Sequence, residues 1–146
     1  MSVDIKGMGN ISPQKTWDEN GLLDQPLAYL GDKLPCHEPD YSKYFDPKQL
    51  RRLSRIIKMG VAAGSMALKQ AGISVPNGII TGTAYGCLDD TGIFLNKMIE
   101  NKEYALNPTP FIQSTHNTIG SQIALLLQCQ GYNQTYTQGA FSFESA

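Results

Sequence analysis

Residues 78–99 read GIITGTAYGCLDDTGIFLNKMI. The first six form an apolar, β-branched run between Asn77 and a glycine-containing turn, the pattern of a strand buried on both faces. From 88 to 99 the periodicity is that of a helix. Asp89 and Asp90 fall in its first turn, where the helix dipole favours negative charge, and no second carboxylate pairs with them for acid/base work. Downstream, residues 107–110 (NPTP) read as a loop and 115–130 as a helix with Ile119, Ile123, Leu126 and Leu127 on one side. Residues 134–137 are a strand rich in β-branched and aromatic residues. After Gln138 the sequence GAFSFESA turns into a helix start, as expected of a fold truncated there or completed by something else.

Upstream, Asp46 supplies a capping carboxylate and Pro47 suits a first helical position. Leu50, Leu53, Ile57, Val61, Met66, Leu68 and Ala71 then recur at helical spacing until Gly72, predicting one long, half-buried helix. Its middle carries Gly60, Ala62, Ala63, Gly64, Ser65 and Ala67. So many small residues are costly in helix propensity and imply the close approach of another backbone. Residues 10–45, rich in Pro, Gly and Asp, are expected to form a long surface excursion, with a short helix over 16–23 capped by Thr16 or Asp18. Residues 3–8 (VDIKGM) alternate like a short strand ending in a turn. The order strand, helix, strand, helix, helix, strand predicts an α/β layered sheet.

At 146 residues the chain has room for one domain of ordinary size. Twelve Lys+Arg against 13 Asp+Glu give a net charge of −1, which fits neither a nucleic-acid-binding protein nor an acidic disordered tail. The low charged fraction of 17% suggests a large interface. Cys36, Cys87 and Cys129 lack metal-ligand spacing, and the start MSVDIKGMGN lacks the basic and apolar regions of a secretion signal, so a reduced, cytoplasmic protein is expected. The most apolar segment, 123–127, is far shorter than the roughly 20 residues of a membrane span.

Few motifs carry chemistry. Gly7-Met8-Gly9 follows a predicted strand, but Ser12 holds the third glycine position of a dinucleotide fingerprint and no helix follows at once, so a structural turn is favoured. Cys36-His37 has no second pair with metal-ligand spacing. Lys48, Arg51, Arg52, Arg55 and Lys58 recur every three or four residues, forming a basic stripe on one face of the predicted long helix. Such a stripe is ordinarily a solvated face; its functional alternative is a docking surface for an acidic partner.

Five stretches in order carry a resemblance that covers almost the whole chain outside 14–40. They are VDIKGMGNISP, PKQLRRLSRIIKMGVAAGSMALKQAGI, IITGTAYGCLDDTG, NPTPFIQSTHNTIGSQIALLLQCQG and YNQTYTQGAFSFESA. Together they resemble the N-terminal part of a β-ketoacyl-acyl-carrier-protein synthase, a condensing enzyme of the thiolase fold. They look closest to the divergent ketosynthase-like proteins of aryl-polyene or flexirubin-type pigment pathways. The resemblance implies a layered thiolase-like α/β fold, N-terminal half only, with a mixed sheet and packed helices. Residues 1–146 would then be one ketosynthase-like domain, incomplete relative to the family.

The family's nucleophilic cysteine stands at the end of a strand and the start of a buried helix, where the helix end lowers its pKa. Counted from Gly131, that position falls on Ala140, which cannot form a thioester; Ser142, two residues on, points elsewhere on a helix and is a poor substitute. The family's two catalytic histidines come from a C-terminal half, and His37 and His116 do not match them. By resemblance His116 and Phe111 fall at the acyl pocket, His116 also near the dimer contact. Lys48, Arg51 and Arg52 coincide with positions that meet the acidic helix of acyl carrier protein, whose phosphopantetheine arm delivers substrate. No cofactor or metal of the chain's own is implied.

The strand at 134–137 would pair across a twofold, giving a homodimer or a heterodimer with a thiol-bearing ketosynthase. The first reading is a non-condensing, chain-length-factor-like partner in fatty-acid or polyketide biosynthesis. Its rivals are a full-length 3-oxoacyl synthase that is active, and an unrelated α/β binding domain, favoured if the long helix fails to pack centrally.

Overall fold

In a computed structural model, residues 2–17, 23 and 25–146 are described. The helix expected over 16–23 lies largely outside them. The chain divides into two compact units, Met1–Arg52 with Lys58–Ser74, and Leu53–Ile57 with Val75–Ala146.

In the first unit Asp46 caps helix α1 (Pro47–Arg52): its carboxylate accepts from the Lys48 and Gln49 amides at 2.8 and 2.9 Å. The Gln49 side chain accepts in return from the Asp46 amide at 3.2 Å, completing a capping box. The long helix expected here is two helices. α1 stops at Arg52 and α2 runs Arg55–Ala71, separated by Leu53 and Ser54. No Gly or Pro marks the break, so periodicity alone runs through it. The basic stripe is divided accordingly, with Lys48, Arg51 and Arg52 on α1 and Arg55 and Lys58 on α2. α2 ends as expected at Gly72, whose φ of +69° allows a Schellman closure by Ile73 N–H to the Leu68 carbonyl at 3.0 Å and Gly72 N–H to the Lys69 carbonyl at 3.2 Å.

The small residues of α2 meet a backbone, as their composition implied, and it is that of residues 7–9. A Cβ on Gly7 would strike the Ala67 carbonyl and lie 2.8 Å from the Ala71 amide nitrogen; one on Gly9 would strike the Ala63 carbonyl and lie 2.9 Å from Met66 Cβ. The two glycines therefore serve packing. The Met8 amide between them donates to Gln70 Oε1 at 2.6 Å. Residues 3–8, expected as a strand, join no ladder: the described residues form one two-stranded sheet without them, and Val3 and Ile5 stand 94% and 82% exposed. Alternation marks an extended segment, and strand formation needs a neighbour as well. The excursion is tied down by Gln14, whose side-chain amide donates to the Leu27 carbonyl and accepts the Leu27 amide, at 3.0 and 2.7 Å, and by the His37 amide on the Ser12 carbonyl at 2.9 Å.

The second unit is the α/β part. β1 (Gly78–Gly82) leads to α3 (Leu88–Glu100), α4 (Pro108–Ser114), α5 (Thr118–Leu127), β2 (Tyr132–Tyr136) and α6 (Ser142–Ser145). β1 and β2 pair in parallel with Ile80 opposite Gln134, so the expected mixed sheet is, among the described residues, one parallel pair. β1 is covered unevenly: on one face Ile79 is buried where α5 lies against it at Gly120, whereas on the other the start of α6 reaches Gly82 and Ile80 stays 52% exposed. The strand was expected to be buried on both faces, which an apolar run alone implies; among the described residues the second face is covered only at Gly82, by the start of α6. The NPTP loop is in fact a helix start. Asn107 caps α4 by accepting the Thr109 amide at 3.0 Å, and prolines in a first turn displace no helical hydrogen bond. α5 is shorter than the expected 115–130, because Thr115 caps the end of α4 and Gln128 turns left-handed at φ +53°.

Replacing Gly9 with alanine forces a methyl into the α2 backbone. The expected cost is about 1–3 kcal/mol of stability, read as a lower urea midpoint at unchanged slope; an unchanged midpoint would refute the close contact.

Candidate functional site

The end of β1 and the end of β2 meet at Thr83. Its amide donates to the Tyr136 carbonyl at 3.0 Å, extending the ladder past Gly82. Its carbonyl accepts the Ser142 hydroxyl at 3.0 Å, and its own hydroxyl accepts the Gly86 amide at 3.0 Å. One residue thereby joins the turn that follows β1 to the turn that follows β2.

That second turn holds the position expected for a nucleophile. Gly139, left-handed at φ +55°, opens a 3₁₀ turn over Gly139–Phe141 that runs directly into α6. A strand passing through a tight turn into a helix is thus present where the sequence implied it. Ala140 is exposed and brings only a methyl group. Ser142 is buried, and its hydroxyl is fully engaged: it accepts from the Gln138 amide at 3.0 Å and shares its proton between the carbonyls of Thr83 and Gly139, at 3.0 and 2.7 Å. A Cβ on Gly82 would strike the Ser142 carbonyl, so glycine is required where the strand passes under the helix start. The Phe141 and Ser142 amides donate to the Gln138 and Gly139 carbonyls and are committed to the turn.

The remaining predicted residues fall into two groups. His116, exposed on the link between α4 and α5, packs on Gly86, where an added Cβ would lie 3.0 Å from its Cδ2. Through Gly86 and Thr83 it belongs to the same bonded turn system as Ser142. Phe111 on α4 faces α3 instead, its ring centroid 5.3 Å from that of Phe94. The two are held on one scaffold by Thr91, whose hydroxyl reaches the carbonyls of Cys87 and Ser114 at 3.0 and 3.2 Å. Lys48, Arg51 and Arg52 are exposed on α1, in the other unit.

Asp89 and Asp90 stand in the first turn of α3, as expected. Asp90 is nevertheless buried, with one carboxylate oxygen lacking a hydrogen-bond partner. It lies beside Cys87, which is 1% exposed. Burial, and secondarily the Asp90 charge, push the Cys87 thiol up to about 11, so it is not a reactive thiolate at neutral pH. Cys36 and Cys129 are likewise unbridged, and His37 is held by a 3.1 Å hydrogen bond from Nε2 to the Tyr29 hydroxyl. Among the described residues no three His, Cys, Asp or Glu side chains gather as metal ligands, and no helix is long and apolar enough to cross a membrane.

The residue that sequence reasoning passed over is Thr83. Its signal was available, because a hydroxyl residue three positions before a turn glycine is a side-chain-to-backbone turn former.

Two outcomes follow from this geometry. Ser142→Ala leaves a buried amide and two carbonyls without the hydroxyl and should cost about 1–3 kcal/mol in urea unfolding; a neutral effect would remove Ser142 from its structural role. The Cys87 thiol ionises in the unfolded chain near pH 8.5 but in the folded one only near 11, so stability is full below the first value and falls as pH approaches the second. Comparison with Cys87→Ala between pH 8 and 10.5 isolates this loss, and identical pH slopes would contradict it.

No family model and no curated protein matches the sequence, so the likeness to known proteins is carried by structure. A ketosynthase, ApeO, in complex with its chain length factor, ApeC, from Xenorhabdus doucetiae aligns at TM-score 0.73 and 19% identity, over 99% of this chain and 58% of that one. The ishigamide ketosynthase/chain length factor aligns at 0.64 and 18%, over 92% and 39%. A beta-ketoacyl synthase from Burkholderia phymatum aligns at 0.60 and 20%, over 97% and 36%. This chain therefore spans less than two thirds of the length of each. Over that length its fold is the thiolase-type α/β fold of ketosynthases and chain length factors, in a divergent form.

Proposed function

We propose that this polypeptide is a chain-length-factor-like, non-condensing component of a carrier-protein-dependent fatty-acid or polyketide assembly, of the aryl-polyene or flexirubin type. The observation that carries the reading is the turn after β2. It has the strand-turn-helix form suited to a nucleophile, yet presents the Ala140 methyl, and the nearby Ser142 hydroxyl is spent on holding the turn. Formation of an acyl thioester needs a thiolate, and decarboxylation needs groups to stabilise a carbanion; neither is supplied by residues around Thr83. The binding of a phosphopantetheine-borne chain, with His116 and Phe111 beside the acyl group, needs no nucleophile.

A partner that carries the thiol fits this division of labour. One of the structural relatives is a ketosynthase in complex with its chain length factor. Among the described residues β2 pairs with β1 on one edge only, leaving the other edge of Tyr132–Tyr136 as a template for a second strand. The association is with a thiol-bearing ketosynthase or with a second copy. Carrier protein, acidic on its docking helix, is steered by Lys48, Arg51 and Arg52 on the exposed face of α1. The setting is the cytoplasm.

Light scattering on the protein mixed with a ketosynthase of the same pathway type should give a dimeric mass, and a monomer at high concentration, alone and in the mixture, would contradict the reading. Charge reversal at Arg51 and Arg52 should weaken carrier binding and flatten its salt dependence, since exposed charges are screened over about 10 Å at 0.1 M salt. Unchanged carrier affinity would return α1 to an ordinary solvated face.

A further inference from the structure

Asn77 and Gly78 lead into β1, and both are exposed. The Asn77 side chain makes no hydrogen bond among the described residues. In a parallel pair, alternate residues of each strand bond to the neighbour. The Thr83 amide on the Tyr136 carbonyl sets the phase, so the Ile79 and Thr81 amides also point to β2 and the Tyr132 amide points to the Asn77 carbonyl. The Gly78 nitrogen is therefore outside the ladder, on the edge of β1 that carries no second strand among the described residues. As a glycine nitrogen, it has no Cβ beside it to shield it.

A side-chain amide with no partner, next to a backbone nitrogen that is neither bonded in the ladder nor shielded, is the arrangement for intramolecular attack. We propose that Asn77 is a site of self-modification by deamidation through a succinimide. The Gly78 nitrogen, its proton taken by hydroxide, forms a bond to Asn77 Cγ; the bond from Cγ to Nδ2 breaks, and Nδ2 leaves as ammonia with a proton from water. Water then opens the succinimide ring. Attack at Cγ gives aspartate, and attack at the backbone carbonyl carbon gives isoaspartate, in which the chain runs through Cγ. Either product adds a negative charge. The isoaspartate also lengthens the backbone where there is no slack: the Asn77 carbonyl lies so close to Gly131 that a Cβ there would strike it. In that product the carbonyl leaves the main chain, and the first rung between β1 and β2 is lost with it. The site does not depend on the reading given to the Ala140 turn.

The folded protein is incubated at mildly alkaline pH and digested with trypsin, which releases residues 70–97 as one peptide; the other Asn-Gly pair, 20–21, falls in a different one. Fragmentation of the 70–97 peptide should show Asn77 converting to a mixture of aspartate and isoaspartate, faster than at mildly acidic pH. Gly78→Ala, checked for folding by circular dichroism, should slow the conversion several-fold, because its methyl shields the attacking nitrogen. Protein unfolded in guanidinium chloride supplies the reference rate. Reaction through global unfolding alone would be slower in the folded protein by about 10³ or more. The open geometry predicts a difference of less than about a hundredfold. A larger difference, a rate independent of pH, or an equal rate in folded Gly78→Ala would each overturn the proposal.

Discussion

The backbone and hydroxyl of Thr83 hold together what the α/β unit presents. Three hydrogen bonds converge on it, from the Ser142 hydroxyl, from the Gly86 amide and to the Tyr136 carbonyl, all at 3.0 Å. Each is of ordinary strength, about 0.5–1.5 kcal/mol net, but together they connect the turn after β1, the end of β2 and the start of α6. The Ser142 hydroxyl then ties in the turn after β2 through the Gln138 amide and the Gly139 carbonyl, and His116 packs on Gly86. The Ser142 hydroxyl is the buried member, so removing it costs more than its bond to Thr83 alone contributes.

That arrangement decides what chemistry the turn after β2 can perform. A serine two residues past Ala140, where the resemblance expects a nucleophile, invites the thought of a substitute hydroxyl, but Ser142 both accepts and donates within the scaffold and is buried. Freeing it to attack would dismantle the turn that displays Ala140. Cys87, four residues past Thr83, is barred by burial and by the Asp90 charge, which hold it protonated. The strand, turn and helix start after β2 carry no thiol, and the unit's fold is the one that ketosynthases and chain length factors have in common.

Much of this was legible in the sequence where a local signal and a tertiary need agree. β1, α3, β2 and the helix start after Gln138 announce themselves by change of periodicity, and Gly72 by the left-handed cap it forms. The small residues of α2 implied a close backbone, which proved to be Gly7-Met8-Gly9. Other features were hidden because they depend on partners. Residues 3–8 alternate like a strand without joining a ladder, and Ile80 stays exposed on a face that the start of α6 covers only at Gly82. The interruption at Leu53 and Ser54 carries no helix-breaking residue, and Asn107-Pro108 looks the same whether it opens a helix or a loop. Of Thr83 the local bond to Gly86 was legible, but its bond to Ser142 spans 59 positions and was not.

The central claim is that the turn after β2 holds no nucleophile, and covalent loading tests it most directly. The protein is incubated with an acyl-thioester of carrier protein and its intact mass is measured, followed by peptide mapping. The account predicts an unmodified mass under conditions in which a thiol-bearing ketosynthase is fully acylated. An acyl adduct mapped to residues 131–146 would contradict it.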